Sequence, residues 1–272
     1  MSKQKTHRIT LGMASAVLFI FFLCSSVFAA WETVGRVTRV TNSKANGVIL
    51  DTSSKAKVLV EFYGSNVVRI KVAPSGKFEG EYSYAIDPAA KFADAKITVS
   101  QTASAITLTK TDGTKVVIQK AAFSVSVTDD KGNTVIQNDT SDPTAFNLAT
   151  GEIKTTMMRR SEVETYYGFG EKAFAEMSRN GKFIVNWNTD TFSYPIGTDP
   201  IYQSIPFFTA LYDGRAYGLF FNNTFRTWFD MGARSPGKYS FGADGGELDY
   251  FVFTGSKDKS PKEVLADYTT LT

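Results

Sequence analysis

Six consecutive residues, Asn186-Trp187-Asn188-Thr189-Asp190-Thr191, hold the densest chemistry in the sequence. An indole face packs on the apolar C–H face of a pyranose, while a carboxylate or amide pairs with vicinal hydroxyls. Phe192, Tyr194 and Tyr202 continue the same polar, aromatic stretch, which runs from Asn180 to Gln203. The stretch suits sugar recognition and equally suits a surface loop whose aromatics anchor it to the fold. Asp244, Glu247 and Asp249 offer the paired carboxylates that glycoside hydrolysis needs. They flank a turn and a strand, however, where solvated carboxylates are the default. Tyr166-Tyr167-Gly168-Phe169-Gly170-Glu171 begins like a dinucleotide loop but lacks the third glycine and any βαβ surroundings. It reads as a strand bend where backbones approach closely. Asp129-Asp130-Lys131-Gly132-Asn133 lacks the spaced ligands and distal Glu of a calcium loop and reads as a hairpin turn.

What is missing narrows the chemistry further. The single His and single Cys, His7 and Cys24, both fall in the first 29 residues. That segment has a basic start (Lys3, Lys5, Arg8), an apolar run from Leu11 to Leu23, and Val27-Phe28-Ala29 before a cleavage point. This is the pattern of a secretory signal over 1–29, too short in its apolar part to span a bilayer. Cleavage removes the whole formal charge of +3 and leaves a neutral chain, so bulk charge steers it to neither nucleic acid nor anionic membrane. A mature chain without His or Cys supports no Ser/His/Asp triad, no thiol centre and no ordinary zinc or haem site. No metal and no cofactor is expected, and acid–base work falls to Asp, Glu, Tyr or Lys.

These residues must be positioned by strands. Lys57 to Tyr63 and Val67 to Val72 alternate around Gly64-Ser65-Asn66, and Ala105 to Thr109 pairs with Lys115 to Gln119 across Asp112-Gly113. Phe123 to Val127 turns through Lys131-Gly132-Asn133 into Thr134 to Ile136. The runs Ile205 to Tyr212 and Ala216 to Phe221 are almost continuously apolar, as strands covered on both faces are. Phe225 to Asp230, Lys238 to Phe241 and Glu247 to Thr254 add further strands. One helix is signalled, with Ser260 as N-cap, Pro261 at the first position and Glu263 completing a capping box.

Several segments together resemble the N-terminal domain of glycoside hydrolase family 31, the α-glucosidase and α-xylosidase family. They include Tyr167 to Glu171, Trp187-Asn188-Thr189-Asp190, Tyr202 to Phe208, Ala216 to Thr224, Trp228 to Gly232, Tyr239 to Tyr250 and Ser260 to Val264. The resemblance is strong from about Val163 onward and diffuse from Trp31 to Arg160. It implies an all-β fold, a β-sandwich of the galactose-mutarotase-like type over 30–255 with one short C-terminal helix. It also implies that 256–272 leads toward a (β/α)8 barrel holding the aspartate nucleophile and acid/base, which this sequence does not contain. No catalytic residue is therefore assigned. Trp228-Phe229-Asp230-Met231 imitates a barrel motif but lies in the sandwich portion. Asp190 matches the family aspartate that hydrogen-bonds a bound sugar, with Thr191, Trp187 and Asn188 as companions.

The expectation is an accessory domain of an exported α-glycosidase, inert alone, whose partners are an α-linked oligosaccharide and the barrel. Truncation before the barrel would leave the final helix without a partner beside an open apolar patch. The alternative is a stand-alone exported carbohydrate-binding module. A mutarotase-like epimerase fits the fold but needs histidine acid–base chemistry that the mature chain lacks.

Overall fold

Alternation of apolar and polar residues converts into antiparallel pairing throughout. The computed structural model describes residues 30–42, 46–255 and 258–272; the signal expected over 1–29 and Lys257 lie outside the described residues. The first strands are β1 (Glu32–Thr33), β2 (Val37–Asn42), β3 (Asn46–Thr52), β4 (Lys57–Gly64), β5 (Val67–Ala73), β6 (Ile97–Gln101) and β7 (Ala105–Lys110). Next come β8 (Lys115–Gln119), β9 (Ser124–Thr128), β10 (Thr134–Gln137), β11 (Ala145–Phe146), β12 (Ile153–Met158) and β13 (Thr165–Gly170). The remainder are β14 (Phe183–Asn186), β15 (Ser204–Tyr212), β16 (Arg215–Phe221), β17 (Thr227–Asp230), β18 (Lys238–Ala243), β19 (Leu248–Phe253) and the helix α1 (Pro261–Leu271).

Three sheets result among the described residues. An eight-stranded sheet runs β13-β15-β16-β19-β5-β4-β3-β2, a six-stranded sheet runs β1-β11-β12-β18-β17-β14, and a five-stranded sheet runs β10-β9-β8-β7-β6. Buried side chains from all three, among them Val60, Ile70, Leu108, Val125, Phe229 and Phe241, form one core. The smaller sheets meet where Asn138 bridges Met157. The buried Asn138 amide accepts from Val125 N–H at 2.8 Å and donates to Thr155 Oγ1 at 3.0 Å, so the seam is hydrogen-bonded rather than open. The all-β sandwich of the sequence reading is the observed fold.

The eight-stranded sheet is covered on its second face as well. Val67, Phe207, Phe220, Phe251 and Phe253 meet Val264 and Leu271 of α1 in a separate apolar cluster. Tyr268 stacks on Phe207 with centroids 3.8 Å apart. Gly218 lets the helix approach, since a Cβ there would lie 2.6 Å from Val264 Cγ1. Ser260 and Glu263 form the expected reciprocal cap. This corrects the expectation of a helix without partners beside an open apolar patch: the continuous apolar runs face α1 itself.

The core takes in the carboxyl of Glu164. Glu164 is buried, accepts from Tyr217 Oη at 2.7 Å and takes the Arg160 backbone N–H. Burial raises its pKa above the ordinary carboxylate value, while the hydrogen bonds pull it down. A raised folded pKa means the folded chain keeps a proton that the unfolded chain releases. The associated stability is therefore full at low pH and falls as pH rises through the raised value. Urea unfolding of wild type and Glu164→Gln from about pH 4 to about pH 8 tests this. Wild type should lose stability relative to the variant as pH rises, and parallel curves would contradict the assignment.

Candidate functional site

The polar, aromatic stretch is shorter as a loop than the sequence suggests. Phe183–Asn186 forms β14, the edge strand of the six-stranded sheet, paired with β17 through Val185 opposite Trp228. The loop proper is 187–203. An edge strand needs partners for its outward backbone groups, and a buried ion pair supplies them. Lys172 Nζ donates to Val185 O at 2.7 Å and to Asp199 Oδ1 at 2.8 Å, while Asp199 Oδ2 accepts from Val185 N–H at 2.6 Å. The Lys172 side chain is wholly buried and that of Asp199 nearly so. Burial pulls the Lys172 ammonium below its ordinary pKa, with Asp199 opposing. One pair thus fastens the strand end, the loop's far limb and the chain just after β13.

The glycines before Lys172 permit this closeness. Gly170 has φ +74, and a Cβ there would lie 2.2 Å from Gln203 O; one on Gly168 would lie 2.6 Å from Phe207 O. The bend reading of Tyr167 to Glu171 is what the structure shows. Glu171 N–H donates to Gln203 O at 3.0 Å, and Tyr194 Oη donates to Glu171 Oε1 at 3.2 Å. Asn188 Oδ1 accepts from Ser204 N–H at 2.8 Å and so joins the two ends of the loop.

Beneath the loop's first residues lies a cleft of about 430 Å³ lined by Asn186, Trp187, Asn188, Ser204, Phe225 and Thr227, among others. Four buried polar atoms here have no protein partner: both amide atoms of Asn186, Ser204 Oγ and Thr227 Oγ1. Burying such a group unpaired costs roughly 1–3 kcal/mol, so three side chains gathered at one cleft mark a place built for polar contact. Trp187 is 51% exposed at its mouth. Of the sequence-predicted residues, Trp187 and Asn188 line the cleft. Asp190 is exposed and Thr191 half-buried farther along the loop, outside the lining set. Asn186, Ser204 and Thr227 escape a sequence reading because single hydroxyls and amides in strands carry no motif.

The cleft continues past Tyr84, Asn223, Thr224 and Phe225 into a second hollow of about 180 Å³. Its floor is ionic. Arg69 grips Asp249 through Nε at 2.8 Å and Nη2 at 2.9 Å and reaches Glu81 at 2.8 Å, and Lys71 lies 3.0 Å from Glu247. Burial raises the Glu247 carboxyl, against the Glu79 N–H and Lys71. Asp244 is exposed as expected, whereas Asp249 is buried and the Glu247 side chain nearly so, each facing a cation, which corrects the expectation of solvated carboxylates for these two. Their bonds are used in fixing the 79–86 segment, where Glu79 N–H donates to Glu247 and Ser83 Oγ to Asn222 Oδ1. Among the residues lining the cleft beside Trp187 there is no Asp or Glu.

A family model described as the glycosyl hydrolase 31 N-terminal galactose mutarotase-like domain matches residues 57–230. Alpha-glucosidase 2 of Bacillus thermoamyloliquefaciens is 37% identical over 216 residues, covering 79% of this chain and 26% of that protein. Isomaltosyltransferase of Sporosarcina globispora is 28% identical over 260 residues, covering 89% of this chain and 22% of that protein. The solved structure of a Flavobacterium johnsoniae GH31 dextranase complexed with glucose is similar with a TM-score of 0.79 at 28% identity. It covers 89% of this chain and 28% of the dextranase chain. The chain spans about a quarter of the length of the curated relatives it matches.

Removing one partner of a buried ion pair costs about 3–5 kcal/mol, because the other charge stays buried and unpaired. Lys172→Met should lower the unfolding free energy by about that much in urea. It should also speed hydrogen exchange at Val185 and across 187–203. Unchanged exchange in the loop would show that the pair does not hold it.

Proposed function

Because the chain belongs to glycoside hydrolase family 31 through its N-terminal galactose mutarotase-like domain, we propose that it is the accessory sandwich of an exported α-glycosidase. In this reading it presents a substrate-orienting loop to a separate (β/α)8 barrel. The observation that carries the reading is the loop 187–203, fastened by Lys172 and Asp199 over a cleft where the buried side-chain polar atoms of Asn186, Ser204 and Thr227 have no protein partner. A fastened loop can hold a carboxylate in place, and holding is the contribution that orientation makes to catalysis. Asp190 is the carboxylate, accepting from sugar hydroxyls, with Thr191 beside it and Trp187 and Asn188 at the cleft mouth.

Bond breaking belongs to the barrel. A retaining mechanism needs two carboxyl groups facing each other about 5–5.5 Å apart. The nearby candidates Glu247 and Asp249 are committed to Lys71 and Arg69. Export rests on the signal pattern of the first 29 residues. The exposed aromatics of the loop, Phe192 at 96% among them, favour one rival reading, a stand-alone carbohydrate-binding module.

The purified chain should neither hydrolyse aryl α-glucosides nor, without a barrel to complete the site, bind an oligosaccharide through the loop 187–203. Hydrolysis lost on replacing its carboxylates would overturn the accessory role. Saturable calorimetric binding abolished by Asp190→Ala would favour the module.

A further inference from the structure

The outer face of the six-stranded sheet carries a second cleft that shares no lining residue with the one beside Trp187. Strand register builds its floor. Ile184, Phe229, Phe241 and Thr155 point into the core, so their neighbours point outward. Two outward rows cross the sheet. One holds Lys154, Gly242, Trp228 and Val185, and the other Thr156, Ser240, Asp230 and Phe183. Gly242 is what lets the Trp228 indole lie down, because a Cβ there would sit 2.7 Å from the indole Cζ2. The Phe183 ring runs nearly parallel to the indole, 14° apart with centroids separated by 5.8 Å. The sheet therefore presents a flat aromatic platform on which Phe183 stays 37% exposed.

Hydrogen-bonding groups stand around that platform in fixed positions. Asp230 Oδ1 accepts from Ala233 N–H at 2.7 Å and from Gly232 N–H at 3.2 Å, folding a turn that places Arg234 4.7 Å over the Phe183 ring. On the opposite side Asp142 binds Lys154 Nζ at 3.0 Å and Thr156 Oγ1 at 2.7 Å. The Lys154 ammonium lies 5.3 Å from the ring of Trp31, itself 44% exposed. The cleft measures about 400 Å³, within the range of small-ligand sites.

We propose that this cleft is a second binding site, for a neutral oligosaccharide. An exposed aromatic plane accepts the C–H face of a sugar ring, and the groups around it can donate to and accept from its hydroxyls. Charge selects against ions. Lys154, Arg234 and Lys238 line the cleft together with Asp142, Glu152 and Asp230, so cations and carboxylates balance. An anion would meet the carboxylates and a cation the lysines and arginine. A neutral polyol uses both. Its lining includes no residue of the loop 187–203, so it would hold a chain on the sandwich while another part of that chain is engaged elsewhere.

Titration of the purified chain, in a Trp187→Phe background, with maltotetraose, isomaltotetraose and cellotetraose tests the site by tryptophan fluorescence and calorimetry. Saturable binding is expected with at least one of them. Trp228→Ala should weaken it by about tenfold, the loss of one aromatic–sugar contact. Arg234→Ala and Trp31→Ala, at exposed positions, keep the test valid if Trp228→Ala fails to fold, and each should also weaken binding. Leu265→Ala, on the exposed face of α1, should not. The α-linked probes rest on the proposed function, whereas the site does not: binding of cellotetraose alone supports the cleft and counts against the α-glycosidase reading. No saturable binding to any probe, or binding indifferent to Trp228, Arg234 and Trp31, overturns the proposal.

Discussion

A sheet whose central strands are apolar on both faces must be covered twice. β15, β16 and β19 set that demand, with Phe208, Tyr217 and Tyr250 turned to the sandwich core and Phe207, Phe220 and Phe251 turned away from it. The two smaller sheets meet the first demand and α1 the second. Once both covers are in place the eight-stranded sheet is a rigid slab, and chain that leaves its edges can be fixed in position by a few polar contacts. Interiors packed at crystal-like density transmit little play.

Two buried charge clusters use that rigidity differently. Lys172 and Asp199 fasten a strand edge and the loop beyond it, and Arg69 with Asp249 fastens the 79–86 segment to the slab's outer face. Buried ion pairs add little net stability compared with apolar packing, but they penalise any arrangement that separates them. Here they hold the two segments that frame the cleft beside Trp187, with Tyr84 on one wall and Asn188 on the other. The site is thus a consequence of placement rather than of a motif.

That division explains what a sequence reading could reach. Asp112-Gly113 marks its hairpin because a tight turn needs positive φ, and Gly113 has φ +102. Ser260, Pro261 and Glu263 announce the helix because capping is local. β14 stays hidden because four residues amid polar neighbours have no period to detect, and its outer edge is satisfied by Lys172 and Asp199 from elsewhere in the chain. The Arg69–Asp249 pair joins residues 180 apart in sequence, so alternation alone reads its carboxylate as solvated. Trp187 and Asn188 stand out in the sequence by their chemistry, and both line the cleft. Asn186, Ser204 and Thr227 become visible only when the fold buries them together.

The central claim is that this sandwich orients a sugar for chemistry carried out by another domain. Its most direct test is an active chimera in which the chain replaces the matching segment of alpha-glucosidase 2, assayed with and without Asp190→Ala. Loss of a hydrogen bond to a charged group, about 1.5–3 kcal/mol, should lower kcat/KM by about tenfold to a hundredfold with unchanged thermal stability. Identical kinetics for the two chimeras would contradict the account.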